Sequence, residues 1–175
     1  MNIQEFNQGE GIFIDTNIFI YHLDKSSPHH QTSTNFLIQV ECQQVKAFIS
    51  TLVIDEIFYS CLLLKGSEIY PELSINALKK RINSDKKLIR ECYEVVETVF
   101  NYIEMLRIVS SLTILEINFE IIKCALPIAK KYNLFPRDAI HLSTCQMFGI
   151  HHIATNDTHF QDIPLLTVWT PSRTL

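Results

Sequence analysis

The chain has 175 residues, 47% of them hydrophobic and 19% charged, with a formal net charge of −4. This length suits one domain with a substantial core, and the acidic balance excludes binding to nucleic acid through overall charge alone. The five scattered cysteines include no C-x-x-C pair, which argues against a zinc site or a disulfide framework and favours a reducing compartment.

The amino-terminal residues lack a basic segment followed by an apolar stretch. No apolar run approaches the roughly 18 residues that a membrane span requires. We therefore expect a soluble, cytoplasmic protein with no membrane contact. Any polyanionic partner would have to be bound by a local basic patch or through metal ions.

The first predicted strand is Gly-Ile-Phe-Ile at 11–14, and it runs directly into Asp15. A short apolar run that ends in polar residues is typical of a core strand in a parallel sheet. Thr16 or Asn17 would cap the helix that follows. Ligands of open α/β sheets bind beyond the carboxyl ends of the strands, where Asp15 falls, although Asp15 alone is explained equally well as part of a helix cap.

A turn-rich loop at 24–30 leads into a predicted helix at 32–43, and residues 47–51 form the second predicted strand. The helix at 52–64 is apolar nearly all round, which indicates that it is buried. Lys65-Gly66 is its predicted C-cap.

Residues 67–107 are predicted to form a helical hairpin, with a helix start at Pro71 and a break at Asn83-Ser84. Apolar residues recur along the second helix at spacings of four and three, which predicts one apolar seam. The seam consists of Leu88, Cys92, Val95, Val99, Tyr102 and Leu106.

The remaining predicted elements are a strand at 111–115, a helix at 118–132, a helix at 136–148, and strands at 152–155 and 165–169. Pro127 lies inside the first of these helices and should kink or divide it. Strands that alternate with helices predict an α/β fold with a mostly parallel sheet. We expect a single domain over 1–175 that contains the helical insertion at about 67–107.

Four acids follow predicted strands or lie near helix starts: Asp15, Glu56, Asp138 and Asp157. Carboxylates in apolar sequence are costly unless they are paired, hydrogen-bonded or bound to a cation. If they converge at one end of the sheet, they repel one another and require a divalent metal, for which oxygen ligands favour Mg²⁺ or Mn²⁺. Taken singly, Asp138 and Asp157 are also explained by the preference of helix N-termini for negative charge.

The segments around these acids resemble the sequence marks of PIN-domain ribonucleases, and within that family they most resemble the VapC toxins of toxin–antitoxin pairs. The matching segments are Ile14-Asp15-Thr16-Asn17, Ile49-Ser50-Thr51 with Glu56, Pro-Arg-Asp-Ala-Ile-His at 136–141, and Ala-Thr-Asn-Asp-Thr-His-Phe at 154–160. The resemblance runs from about residue 11 to the carboxyl terminus, apart from 67–107.

This resemblance implies a three-layer α/β/α sandwich with the acidic site at the carboxyl end of the sheet. It implies that the four acids hold one or two Mg²⁺ or Mn²⁺ ions and that the protein hydrolyses RNA phosphodiester bonds. It also implies a homodimer and a small antitoxin protein as partners. The seam at 88–106 and the helix after Asp24 are candidate surfaces for either partner, although the seam would equally close the hairpin onto the core.

Polar residues near the acids are secondary candidates for contacts to the metal ligands or the phosphate: Thr16, Asn17, Thr155, Asn156 and His141. Capping, turn formation and ordinary packing are the alternative explanations. The dense basic run would bind RNA phosphates, or else it is the solvated side of the hairpin: Lys79, Lys80, Arg81, Lys86, Lys87 and Arg90.

Three alternative functions stay open at this stage. A housekeeping PIN nuclease that processes rRNA or mRNA would share the same residues. A phosphotransfer enzyme of the haloacid dehalogenase type also begins with a strand that ends in Asp, but its chemistry needs a second Asp two residues later, where this chain has Asn17. A binding module without catalysis would be expected to have lost some of the four acids.

Overall fold

Five strands form one sheet in the residues that the structure, a computed structural model, describes: 1–7, 9–109 and 112–173. They are β1 (Ile12–Ile14), β2 (Ala47–Ser50), β3 (Leu112–Leu115), β4 (His152–Ala154) and β5 (Thr167–Trp169), in the spatial order β3-β2-β1-β4-β5. Every neighbouring pair is parallel, which confirms the predicted sheet. The first residue of the predicted third strand, Ser111, lies outside the described residues.

Over the same described ranges, the helices are α1 (Thr16–Leu23), α2 (His30–Glu41), α3 (Thr51–Ile69), α4 (Ile75–Ser84), α5 (Lys86–Val109), α6 (Phe119–Tyr132) and α7 (Pro136–Met147). Short 3₁₀ turns occur at Ile3–Glu5 and Thr158–Phe160. Helices lie on both sides of the sheet, so the predicted α/β/α architecture is confirmed. None of the helices in this part of the chain combines the length and hydropathy needed to cross a bilayer.

The central strand β1 fixes the position of Asp15. Ile12, Phe13 and Ile14 are all completely buried, because helices cover both faces of the sheet around them. The backbone N–H of Asp15 donates to the carbonyl of Ala154 at 3.0 Å, which joins the ends of β1 and β4. The acid therefore stands at a rigid point of the fold.

Three predicted helix ends differ from the structure. Asp15, rather than Thr16 or Asn17, is the N-cap of α1, because its side chain accepts from the N–H of Thr16. Helix α3 continues through the predicted C-cap at Gly66 and ends at Ile69. Helix α4 begins at Ile75 behind the N-cap Ser74, not at Pro71.

Gly66 serves close packing instead of capping. A Cβ at this position would lie 2.9 Å from Cδ1 of Ile82 and 3.0 Å from Cδ1 of Leu78, both on α4. The missing side chain therefore lets α4 approach α3 closely. Pro127 does not divide its helix, since α6 runs without interruption from Phe119 to Tyr132, and the alternative that it kinks the helix stays a prediction.

The seam of α5 is internal. Leu88 and Cys92 pack with Leu78 and Ile82 in a small cluster between the hairpin helices. The rest of the buried face of α5 belongs to the main core and consists of Val96, Val99, Ile103 and Leu106, whereas the predicted seam residues Val95 and Tyr102 are only partly buried. Helix α2 likewise buries Phe36, Leu37 and Val40 completely. Neither the seam nor the apolar face of the helix after Asp24 is thus free to bind a partner, which corrects that expectation.

Candidate metal centre

A pocket of about 340 Å³ opens at the carboxyl end of the sheet. Its walls come from the ends of β1 and β4 and from α1, α3 and α7. All four predicted acids line it, and its lining consists of Asp15, Thr16, Asn17, Ile20, Tyr21, Glu56, Ser60, Asp138, His141 and Asp157. The structure therefore brings the separated motifs of the sequence together in one place.

Asp15 is the most deeply buried of the four acids, at 8% exposure. Its Oδ1 accepts from the N–H of Thr16 at 2.7 Å, and its Oδ2 accepts from Thr155 Oγ1 at 2.6 Å and from Asn17 Nδ2. Burial raises the pKa of Asp15 above its ordinary value, although nearby His141 and these donors act in the opposite direction. The donors from Thr16, Thr155 and Asn17 are all neutral and only partly stabilise the negative charge of Asp15. A bound cation would compensate the rest of that charge.

Glu56 lies in α3, which starts directly after β2, and its side chain reaches across the pocket towards α1 and α7. Oε2 accepts from Thr16 Oγ1 at 2.6 Å and lies 3.2 Å from His141 Nε2, while Oε1 lies 3.6 Å from Arg137 Nη1. Burial alone would raise the pKa of Glu56. His141, Thr16 and Arg137 outweigh that effect and hold the pKa below its usual value. Glu56 is therefore ionised at neutral pH.

His141 lies one helical turn after Asp138 on α7 and is only 2% exposed. Its ring packs at 5.6 Å from the ring of Phe13 in β1, and its Nε2 faces Glu56. Its Nδ1 is buried without a hydrogen-bond partner among the described residues. The side chain thus combines packing, as the alternative explanation held, with a place in the wall of the pocket.

Asp138 and Asp157 line the other side of the pocket, and His159 lies beside these two acids outside the lining. Asp138 lies in the first turn of α7, and Asp157 is the N-cap of the 3₁₀ turn Thr158–Phe160. His159 Nδ1 lies 3.1 Å from Asp157 Oδ1 and 3.4 Å from Asp138 Oδ2. Burial, and then repulsion from Asp157, raise the pKa of Asp138. A cation between these two carboxylates would relieve the repulsion.

The pocket contains two groups of candidate metal ligands. In each group, one ligand atom per residue lies within 4.8 Å of the others, and the groups are Asp15, Glu56 and His141, and Asp138, Asp157 and His159. Carboxylate oxygens with one imidazole nitrogen fit a divalent ion such as Mn²⁺, and the oxygens alone also suit Mg²⁺. The residues present therefore fit a divalent metal.

Thr155 and Asn17 connect the two groups. Thr155 is completely buried, and its Oγ1 accepts from Asn17 Nδ2 at 2.9 Å and from the N–H of Asp157 at 3.0 Å while it donates to Asp15. Asn17 Oδ1 in turn accepts from the N–H of Asn156 at 3.3 Å. Among the secondary candidates, Thr16, Asn17 and His141 line the pocket, whereas Thr155 lies beneath it and Asn156 beside it. Their geometry suits residues that position the acids.

Four residues at the site carried no role in the sequence prediction. Arg137 and His159 lie inside the matching motifs, next to Asp138 and two residues after Asp157, and their position was the signal that could have identified them. Ser60 follows Glu56 by four residues and Tyr21 follows Asn17 by four, which is the spacing of one helical face. The phenol of Tyr21 accepts from Asn156 Nδ2 at 3.1 Å.

The basic run does not reach this pocket. Lys79, Lys80 and Arg81 lie on α4, and Arg81 pairs with Asp85 at 3.2 Å. The basic residues on α5 line a separate surface together with two glutamates. This surface consists of Lys86, Lys87, Arg90, Glu91 and Glu94. Lys79 is half-buried and the other five basic residues are exposed, and none of the six lines the acidic pocket.

Comparison with known proteins gives a family match over most of the chain. The model of the PIN domain matches residues 12–166. Ribonuclease VapC2 of Methanocaldococcus jannaschii is 27% identical over 158 residues, which are 90% of this chain and 91% of that protein. Ribonuclease VapC6 of the same organism is 35% identical over 91 residues, which are 52% of this chain and 55% of that protein.

Two solved structures share the fold. A toxin–antitoxin complex from Klebsiella pneumoniae matches with a TM-score of 0.51 and 19% identity, covering 94% of this chain and 100% of that one. VapBC2 from Rickettsia felis, bound to a DNA fragment from its promoter, matches with a TM-score of 0.55 and 16% identity, covering 91% and 97%. At these identities the likeness concerns the fold alone.

Proposed function

Because this chain belongs to the PIN-domain family, we propose that it is a metal-dependent endoribonuclease and the toxin of a toxin–antitoxin pair. The observation that carries the proposal is the convergence of four acids from four separate segments in one pocket. The ribonuclease names of two relatives support the activity. In this proposal the chain is one PIN domain, with the helical hairpin as an insertion at about 67–107.

Asp15, Glu56, Asp138 and Asp157 would hold one or two Mg²⁺ or Mn²⁺ ions, with the imidazoles of His141 and His159 within reach. When bound, such ions lower the pKa of a coordinated water and neutralise charge on the leaving oxygen. The remaining work falls to the protein. Fixed hydrogen bonds from its neighbours keep the carboxylates in place before substrate arrives, and these neighbours are Thr16, Asn17 and Thr155.

Arg137 is a cation at the rim of this acidic pocket. Its guanidinium lies 3.6 Å from both Asp55 and Glu56, and its side chain is 54% exposed. We place it beside the substrate, where it can turn from Asp55 to a phosphate oxygen without leaving Glu56. In this proposal Arg137 has two roles, because it holds Glu56 in position and also binds the RNA.

The basic run on α4 and α5 would supply the phosphate contacts that the acidic pocket does not: Lys79, Lys80, Arg81, Lys86, Lys87 and Arg90. Reversal of four lysines to Glu tests this assignment, at positions 79, 80, 86 and 87. We expect weaker RNA binding and a shallower dependence of the binding constant on salt, because fewer counterions are released. Unchanged binding would leave these residues as the solvated side of the hairpin.

An antitoxin and a second copy of the chain are the proposed protein partners. One of the solved structures that share the fold is a toxin–antitoxin complex by title, which supports the first. For the second copy we propose the α6–α7 surface, which we define as Phe119, Ile122, Leu126 and Phe135. Phe119, Ile122 and Leu126 are exposed on α6, and Phe135 is exposed at the N-cap of α7.

The activity is tested by comparing wild type with Asp15→Asn on single-stranded RNA, in Mg²⁺, in Mn²⁺ and in EDTA. We expect metal-dependent cleavage that falls at least about 100-fold in the variant. Asp162→Asn is the matched control, because Asp162 is an exposed acid that does not line the pocket. Cleavage that survives both EDTA and the Asp15 substitution would overturn the proposal, and RNA binding without any cleavage would favour the inactive module.

A further inference from the structure

Tyr59 is an exposed aromatic residue beside the metal pocket. It lies on α3 three residues after Glu56 and immediately before Ser60, both of which line the pocket. Residues three apart on a helix are surface neighbours, with Cβ atoms about 5–6 Å apart. The side chain of Tyr59 is 43% exposed. A strand that leaves the pocket over Glu56 would therefore meet the ring of Tyr59 next.

Lys79 is held against this ring by the hairpin. Its Nζ lies 5.1 Å from the centre of the Tyr59 ring. Lys79 follows Leu78, which is completely buried against α3 where Gly66 permits close approach. The backbone that carries Lys79 is thus anchored by packing, which keeps its ammonium group within reach of the Tyr59 ring.

The charges near the pocket give Lys79 a distinct role. The pocket itself carries four carboxylates, which repel the phosphates on either side of the one being cleaved. Arg137 contacts Asp55 and Glu56, and Arg81 contacts Asp85, so a phosphate must compete with a carboxylate for either guanidinium. Among the described residues Lys79 makes no salt bridge, so its charge is available to a phosphate.

We propose that Tyr59 and Lys79 form a contact site for single-stranded RNA at the edge of the metal pocket. One unstacked base lies on the Tyr59 ring, and Lys79 binds the adjoining phosphate. This assignment rests on the proposed ribonuclease activity and adds a subsite to which α3 contributes Tyr59 and the helical insertion contributes Lys79. The two side chains suit a nucleic acid, because an aromatic ring can stack on a base while a cation binds the phosphate next to it.

The test measures binding and turnover separately. RNA affinity is measured by anisotropy with a labelled single-stranded oligoribonucleotide in the Asp15→Asn background, where RNA stays intact. Tyr59→Ala should weaken binding roughly 5- to 100-fold, the range for loss of one stacking contact. In the active protein the loss should appear in KM rather than in kcat. Tyr59→Phe keeps the ring and should restore the affinity, and duplex RNA should bind Tyr59→Ala and the parent alike.

Lys79→Gln tests the phosphate contact. It should lower the slope of log affinity against log salt by about 0.7, the value for one phosphate contact on a single strand. Lys46→Gln is the matched control, because Lys46 Nζ stands 5.3 Å over the ring of Phe48 near the amino end of β2, away from the pocket. This control should leave both the affinity and the slope unchanged.

Two outcomes would overturn the assignment. In the first, Tyr59→Ala and Lys79→Gln change only the thermal stability, which would mean that the pair stabilises the packing of α4 on α3. In the second, the two substitutions weaken the binding of an antitoxin peptide while RNA affinity and KM stay constant. In both cases RNA is still cleaved, so the proposed activity survives. Absence of RNA binding and cleavage in the parent protein would contradict the proposed activity itself.

Discussion

Asp15 and Asp138 are the acids at which a metal ion competes most directly with a proton. The pKa of each lies above the ordinary value of an aspartate, chiefly because burial penalises the charged form. In the metal-free protein both groups therefore keep their protons over a pH range in which the unfolded chain has lost them. Their contribution to folding stability falls as pH rises through that range.

The first prediction concerns the stabilisation of the folded protein by Mn²⁺. The rise in Tm on adding Mn²⁺ should be small near about pH 4 and should grow towards about pH 7, because the ion must displace protons from Asp15 and Asp138. Thermal unfolding in EDTA and in Mn²⁺ across this pH series measures it, with Asp15→Asn as the variant that loses the shift. A rise in Tm that is the same at every pH would contradict the prediction.

The second prediction isolates the hydrogen bond from Thr16 Oγ1 to Glu56 Oε2, which is 2.6 Å long. Thr16→Val removes the hydroxyl with little change of shape, and it should lower the free energy of unfolding by about 1–3 kcal/mol at pH 7. The folded pKa of Glu56 lies below 4.5, so this contribution is present above that pH and is lost as pH falls through the lowered pKa.

Urea unfolding of metal-free protein at pH 7 and at the lowest pH at which the wild type is still folded measures this effect. Thr16→Ser keeps the hydroxyl and should behave like wild type at both values. An equal loss for Thr16→Val at the two pH values would mean that the defect is one of packing rather than of the charged hydrogen bond.

At the residue scale, the sequence predicted which acids meet but not how they are held. Parallel strands end at one edge of a sheet, so an acid after β1 and another after β4 must lie close together. The position of His159 depends on a 3₁₀ turn of three residues, and such a turn leaves no periodic pattern. Asp15 proved to be both a helix cap and a wall of the pocket, two interpretations that the sequence had set against each other.

At the element scale, Gly66 decides how the hairpin sits on α3. Gly66→Leu would place a side chain where Ile82 and Leu78 now lie within 3.0 Å of an added Cβ. We predict a loss of about 1–3 kcal/mol in the free energy of unfolding, the usual cost of overpacking. Amide hydrogen exchange should rise in α4 while β1 and β4 stay protected.

Gly66→Ala is the informative control for this third prediction. It gains about 1 kcal/mol of helix propensity, and the atoms that it meets are the flexible ends of two side chains, so the net change should be small. If amide hydrogen exchange in α4 of Gly66→Leu equalled that of the wild type, the stability of α4 would not depend on the close approach at Gly66.

Helix ends were the elements that the sequence predicted least well, for reasons of packing. A glycine after Lys65 is a normal C-cap signal, yet α3 continues because Gly66 is buried against α4. Pro127 is a normal helix breaker, yet α6 continues because Ile121 and Ala125 hold it against the core on the turns before the proline. Tertiary contacts overrode the local preference in both places.

At the scale of the whole molecule, the buried faces of the hairpin and of α2 leave the α6–α7 surface as a notable apolar region. Phe119, Leu126 and Phe135 are 73%, 61% and 71% exposed. Beside them lies a groove of about 420 Å³ with an almost wholly apolar lining. A surface of this kind on a folded chain commonly marks a protein interface.

The fourth prediction is that this surface joins two copies of the chain. Glu120 and Lys123 flank it and pair within one chain at 3.7 Å, so a two-fold contact along α6 can exchange these charges between protomers. Leu126→Asp should raise the dissociation constant of the dimer at least about 100-fold, because symmetry places the lost apolar contact and the new charge in the interface twice. Sedimentation at several protein concentrations measures the effect.

The matched control for the dimer is Ile108→Asp, an equally exposed isoleucine on α5 at 68% exposure. It should leave the sedimentation unchanged, because the same change in charge falls outside the α6–α7 surface. A wild-type chain that stays monomeric at tens of micromolar would contradict the prediction, as would equal weakening by the two variants.

Phe135 also packs at 6.1 Å from the ring of His159, so a dimer formed here would border the metal pocket. Leu126→Asp should then lower RNA cleavage at concentrations where only the parent is dimeric, while Mn²⁺ binding to the monomer persists.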